Sequence, residues 1–197
     1  MRLNSAKLLK VYWKSPINPM TEQIELIKQQ AIKDYSKKNF NSALQGFQAC
    51  LNYFETQHDE LAVAEAHNNL SVTYLGMKFP QLAYDEVVGT DQVFIRYGDK
   101  KRQAMAIANT AAALEALGKK EDALALYDQT LDIFKELGEK EMRTSILRRI
   151  SDLQLKTRRG YQAIASIEAA LDQKEAPQIK DSIFKRIFSA IRHRLIN

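Results

Sequence analysis

Apolar and small residues recur along this chain at a fixed interval. Shifted by 40 residues against itself, the sequence superposes Ala43, Ala83, Ala123 and Ala163 without a gap. Four positions after each alanine stands a bulky residue (Phe47, Val87, Tyr127, Ile167), and twelve before it a small one (Ala31, Ser71, Ala111, Ser151). Phe54, Phe94 and Phe134 repeat at the same interval. Turn-forming residues fall twice per period: at 37–39, 78–80, Gly118 and Gly160 within repeats, and at His58–Asp59, Gly98–Asp99 and Gly138–Glu139 between them. The pattern predicts four helical hairpins, over about residues 22–59, 60–99, 100–139 and 140–175.

A small residue in one antiparallel helix lets a large side chain of the other approach. In the third repeat Ile107, Ala111 and Leu114 lie within about 60° of one another on a helical wheel, a stripe that can meet Ala123, Leu124 and Tyr127. One hairpin cannot bury both its faces, so the four must stack into a solenoid. These columns resemble the tetratricopeptide repeat (TPR) family, whose pattern is large apolar, small and aromatic in the first helix, then Ala-x3-Phe in the second. Ile107, Ala111, Leu114, Ala123 and Tyr127 match it most fully, and the resemblance spans about residues 22–175. The chain departs from the family in three ways: the usual Trp column holds Ile27, His67, Ile107 and Leu147, the closing Pro is missing, and the period is longer than the 34-residue form. It is similar in this to the 40-residue repeats of signalling adaptors and cargo receptors. The resemblance implies an all-α, right-handed superhelical solenoid whose first helices line a concave groove, and a protein-binding scaffold in place of an enzyme.

On that reading the groove face of the third repeat holds Met105, Ala108, Asn109, Ala112 and Ala116, opposite the core stripe. The matching positions are Glu25, Lys28, Gln29, Ile32 and Ser36 in the first repeat, and Glu65, Asn68, Asn69, Val72 and Gly76 in the second. Those of the fourth are Ser145, Arg148, Arg149, Asp152 and Lys156. The groove thus runs from mixed polarity through an apolar centre to a basic end. One column reads Gln29, Asn69, Asn109, Arg149. Carboxamides both donate and accept, so this column either pairs with the backbone of an extended ligand, similar to the asparagine ladders of peptide-binding TPR proteins, or simply caps and hydrates the helices.

The family's carboxylate clamp for acidic chaperone tails is incomplete here. Lys28 and Asn69 match it, but Ile32, Met105 and Asn109 replace its Asn, Lys and Arg. Arg148 and Arg149 either hold an acidic residue of some other peptide or form a solvated basic surface paired with Glu139 or Asp152.

After Pro177, Ile179, Ile183, Phe184, Ile187, Phe188, Ile191 and Leu195 occupy one half of a helical wheel and Lys185, Ser189, Arg192 and His193 the other. A capping helix over the last hairpin is the favoured reading, with a membrane-surface helix using Ile183, Phe184, Ile187, Phe188 and Ile191 as the alternative. Residues 1–19 form a basic N-terminal extension without a clean apolar stripe, and Met20 is a candidate start.

Charge sharpens this division. The 197 residues carry a formal net charge of +5, yet residues 1–19 are +4 and residues 176–197 are +4, which leaves −3 for the repeat array. Nucleic-acid binding through the tails is therefore the weaker option, because an acidic array offers no continuous phosphate track. With 45% hydrophobic residues, 7 Gly and 4 Pro, the composition suits a helix-rich domain. The single Cys50 excludes an internal disulfide and a zinc framework, which fits a reducing cytoplasm. Catalysis finds no support: Gly118-Lys119 lacks the rest of a phosphate-binding loop, and His58, His67 and His193 are not spaced as a triad or metal site. His67 and Cys50 are expected to pack in the array. No cofactor, metal or small-molecule substrate is expected; a protein or peptide partner is, in a cytoplasmic protein with possible peripheral membrane attachment.

Overall fold

Helix of 17 residues followed by a three-residue turn is the unit from which this fold is built. The computed structural model describes residues 19–156. Along them run α1 (Pro19–Ser36), α2 (Phe40–Thr56), α3 (Glu60–Gly76), α4 (Pro80–Val87), α5 (Thr90–Arg96), α6 (Lys100–Ala116), α7 (Lys120–Glu136) and α8 (Lys140–Lys156). Helices α1 and α2, α3 with α4–α5, and α6 and α7 are the hairpins of the first three repeats, and α8 is the first helix of the fourth. Expected features at residues 1–18 and 157–197, including Ala163, Ile167 and the amphipathic C-terminal helix, lie outside the described residues.

The turns within and between repeats are the same device. Lys38, His58, Lys78, Gly98, Gly118 and Gly138, spaced by 20 residues, all have φ between 54° and 81°. The following residue donates its N–H to the carbonyl five residues back: Asn39 to Asp34 at 2.9 Å, Asp59 to Phe54 at 3.1 Å, Lys119 to Leu114 at 2.9 Å. This bond closes each helix C-terminus in a Schellman motif. Asp59 and Asp99 then cap the next helix, their carboxylates accepting from the N–H of Ala62 and Arg102. Half of the left-handed positions lack glycine. Because that conformation costs a residue with a Cβ ~1–2 kcal/mol, against ~0.5–1 kcal/mol for the extra chain freedom of Gly, Lys78→Gly is expected to stabilise the protein by about 0.5–1 kcal/mol. Urea unfolding with a midpoint at or below that of the parent would contradict it.

Between the turns, the columns read from the sequence form the core. Ala43, Ala83 and Ala123 have no exposed surface, and Phe47, Val87 and Tyr127 are at most 3% exposed. Ala31, Ser71, Ala111 and Ser151 are buried opposite them. Helices α3 and α6 each pack both on their own second helix and on that of the preceding repeat, and α8 packs on α7, so the described hairpins stack in chain order. Cys50 and His67 sit as expected: Cys50 is buried, and the half-buried His67 Nδ1 lies 2.7 Å from Glu86 Oε2.

One feature departs from the periodic pattern. The second helix of the second repeat is broken between Val87 and Thr90, where Gly89 takes φ 82°. Thr90 secures the break, donating its hydroxyl to the Val87 carbonyl at 2.8 Å and accepting from Asn68 Nδ2 at 2.9 Å. The register continues across it, with Phe94 buried in the same column as Phe134.

Candidate partner-binding face

The first helices α1, α3, α6 and α8 lie side by side, and polar side chains stitch one to the next. Lys28 of α1 reaches Glu65 of α3 at 3.5 Å, and Arg102 of α6 reaches the other oxygen of Glu65 at 3.3 Å. Lys28 also pairs with Glu25 at 2.9 Å, and Arg102 with Asp99 at 3.3 Å. The result is a ribbon of alternating charge, Glu25–Lys28–Glu65–Arg102–Asp99. Burial works to lower the Lys28 pKa, but its hydrogen bonds and charge interactions with Glu25 and Glu65 hold it above the ordinary lysine value. The hydrogen bond from Lys28 holds Glu25 below the ordinary carboxylate value.

Asn68 is turned inward and only 8% exposed. Its amide donates to the Ala64 carbonyl at 2.8 Å as well as to Thr90, and its oxygen accepts from Asn109 Nδ2 at 3.1 Å. Asn109 thus spends one donor on the seam between the second and third repeats, while its neighbour in the column, Asn69, stays half-exposed above Lys28 and Glu65. Gln29 is exposed and reaches Glu25 at 3.4 Å.

The seam between the third and fourth repeats is closed by a three-helix contact. Tyr127 of α7 sends its hydroxyl out of the core to donate to Glu115 Oε2 of α6 at 3.1 Å, and Arg149 Nη1 of α8 donates to that hydroxyl at 3.2 Å. Arg149 also lies 3.8 Å from Glu115 Oε2. Its partners are therefore Tyr127 and Glu115; Glu139 instead pairs with Lys101. Burial, opposed by Arg149, pushes the Tyr127 phenol up to about 12.

Between and beside these seams the face is open. Ile32 is 51% and Met105 41% exposed, with half-buried Val72 and Ala108 near them in register, while Ala112 is only 8% exposed. Arg148 is exposed and makes no ion pair among the described residues. The charge of this layer is uneven: α1 is −1 and α3 −2, whereas α6 is +2 and α8 +3. Sequence reading assigned Lys28, Gln29, Asn68, Asn69, Met105, Asn109, Ala112, Arg148 and Arg149 to one face. Structurally, Lys28, Asn68, Asn109 and Arg149 join repeats to each other, and Met105, Asn69, Gln29 and Arg148 are the accessible members. Arg102, Glu115 and the hydroxyl of Tyr127 were missed. The alternation of sign from Lys28 to Glu65 to Arg102, 37 residues apart each time, was the available signal for the first of these.

Among the described residues no group of three or more His, Cys, Asp and Glu side chains is placed to hold a metal ion. No described helix is long and apolar enough to cross a membrane.

No family model matches the sequence, and no curated protein is detectably similar to it. Among solved structures it is similar to nearly identical TPR-like repeats of a Podosopora anserina protein assigned as a kinesin light chain. The identity is 13%, the TM-score is 0.72, and the match covers 88% of this chain and 89% of that one. A variant of that protein matches with the same identity and TM-score and with 88% coverage of each chain. Read with the buried columns and the stacked hairpins, this likeness establishes that the chain has a TPR-like helical repeat fold, an all-α solenoid.

Proposed function

We propose that the protein is a non-enzymatic interaction scaffold that takes a peptide or helix of a protein partner on the face formed by α1, α3, α6 and α8. The observation that carries this reading is that Ile32, Met105 and Arg148 are exposed on a face whose other charged side chains largely pair with each other, Arg148 making no ion pair among the described residues. Exposed apolar side chains on one face give a partner segment surface to bury. A partner segment with apolar side chains followed by an acidic one would cover Met105 and neutralise Arg148. The like fold of the kinesin light chain repeats supports a scaffold in general terms only.

Met105→Glu with Arg148→Glu is the test, because neither side chain holds the fold together. The double variant is expected to lose at least about tenfold in affinity for polypeptides captured by the parent, as loss of a buried apolar anchor and a charge pair would require. Asp128→Ala, on the second-helix layer, should leave capture unchanged. Equal capture by the double variant, with unchanged circular dichroism, would place the interface elsewhere.

A further inference from the structure

Beside the break in the second helix of the second repeat lies an open cleft of about 560 Å³, between the C-terminal end of α2, the first half of α3 and the two pieces α4 and α5. Its floor is apolar, made by Val63 and Ala64 of α3 and Val93 of α5, and Val88 stands at the break with half its surface exposed. At the position of Val88 the unbroken helices α2 and α7 carry Gln48 and Asp128, so repeat packing does not require an apolar side chain there. The walls are acidic. Glu60 is engaged by Arg96 at 3.1 Å and Glu86 by His67 at 2.7 Å. Asp85 accepts from Gln81 at 2.8 Å with one carboxylate oxygen, which leaves the other open, and Glu55 on the opposite wall has no ion pair or side-chain hydrogen bond among the described residues.

The backbone adds negative potential of its own. A helix ends on carbonyls that lack intrahelical donors and carries about half a negative charge there, and α4 ends at Val87, in the middle of the repeat. The Tyr84 carbonyl accepts from the Val88 N–H at 3.0 Å and the Val87 carbonyl from the Thr90 hydroxyl at 2.8 Å, but no backbone N–H beyond the break reaches the carbonyls of Asp85 or Glu86. The equivalent carbonyls of α2 and α7 lie inside unbroken helices. We propose that this cleft takes an arginine side chain of a protein partner, at a site separate from the face formed by α1, α3, α6 and α8. The aliphatic stem of arginine can lie over Val63, Val88 and Val93, and its guanidinium offers five N–H donors in one plane to Glu55, the open oxygen of Asp85 and the carbonyls at the end of α4. Lysine fits less well, because its ammonium has three donors and is more strongly hydrated. An acidic or purely apolar segment would cover Glu55 and Asp85 with like charge or with no donor at all. The wider field agrees, since the second-helix layer is acidic throughout: α2 is −1, α4–α5 −2 and α7 −3.

Fluorescence anisotropy of the full chain with a short labelled peptide of alternating Arg and Ala tests this. Glu55→Gln with Asp85→Asn keeps the shape of two exposed side chains and should weaken binding at least about tenfold, with unchanged circular dichroism. Asp122→Asn with Asp128→Asn removes the same charge from α7 and should weaken binding by no more than about twofold. The matching Lys-Ala peptide should bind at least about threefold more weakly than the Arg-Ala peptide. The proposal is overturned if the parent does not bind the Arg-Ala peptide, if the α7 pair costs as much as the cleft pair, which would leave only the general field of the layer, or if lysine serves as well as arginine.

Discussion

Tyr127→Ala is expected to destabilise the protein by about 3–5 kcal/mol, and Tyr127→Phe by only about 1–2 kcal/mol. The ring is fully buried in the largest core cluster, with Ala111, Leu114, Ala123, Ile146 and Ile150, so truncation opens a cavity spanning the third and fourth repeats. Loss of the hydroxyl alone is milder, because Arg149 and Glu115 already lie 3.8 Å apart and can close on each other. Denaturant unfolding of the two variants separates these contributions. A Phe variant as unstable as the Ala variant would mean that the polar contact, not the ring, holds this seam.

The same residue gives the protein an alkaline limit. Burial raises the phenol from its ordinary value of 10 to about 12, so between these values the folded chain keeps a proton that the unfolded chain releases. The associated stability is complete below pH 10 and is lost as pH rises towards 12, with a full size of about 2–3 kcal/mol. Lys28, whose pKa is also raised, loses its contribution above its ordinary value in the same direction. Comparing parent with Tyr127→Phe from pH 9 to 12 isolates the tyrosine. The parent's advantage over the Phe variant should shrink across that range and reverse near its upper end, and a constant difference would contradict the assignment.

Periodicity made the fold legible because each buried column needs one residue size at one interval, and Ala43, Ala83, Ala123 and the residues four positions later meet that need without exception. The turns were legible for a similar reason, although the lysines and histidine at 38, 58 and 78 hide the fact that all six described turns share one left-handed geometry. The candidate face was harder to read. A helical wheel places Asn68, Asn109 and Arg149 towards a groove, but it cannot tell that their polar ends find partners on the adjoining helix. Such partners depend on the relative rotation of neighbouring repeats, which no single helix encodes. The break at Gly89 was not legible, because Gly46 is equally a lone glycine within a helix and causes none; Asn68 and Thr90, which secure the broken end, make it a built feature.

Gly46 is where the spacing of the first hairpin is set, and changing it should reverse an ordinary rule. In a helix interior Gly→Ala normally gains ~1 kcal/mol. A Cβ on Gly46 would lie 2.7 Å from the Ala31 Cβ and 3.6 Å from the Ile27 carbonyl oxygen, so α1 and α2 would have to move apart. Gly46→Ala is therefore expected to lose about 1 kcal/mol, and Gly46→Leu roughly 3 kcal/mol, the cost of overpacking a closed interface. The contact is peculiar to this repeat, since Glu86 and Leu126 stand at the matching positions and need no such approach. Moving the methyl group across the interface tests the cause: Ala31→Gly combined with Gly46→Ala should be more stable than the sum of the single changes by at least about 1 kcal/mol. Additive effects would mean that α1 does not bear on Gly46, and a gain in stability from Gly46→Ala alone would mean that the hairpin is looser than its geometry requires.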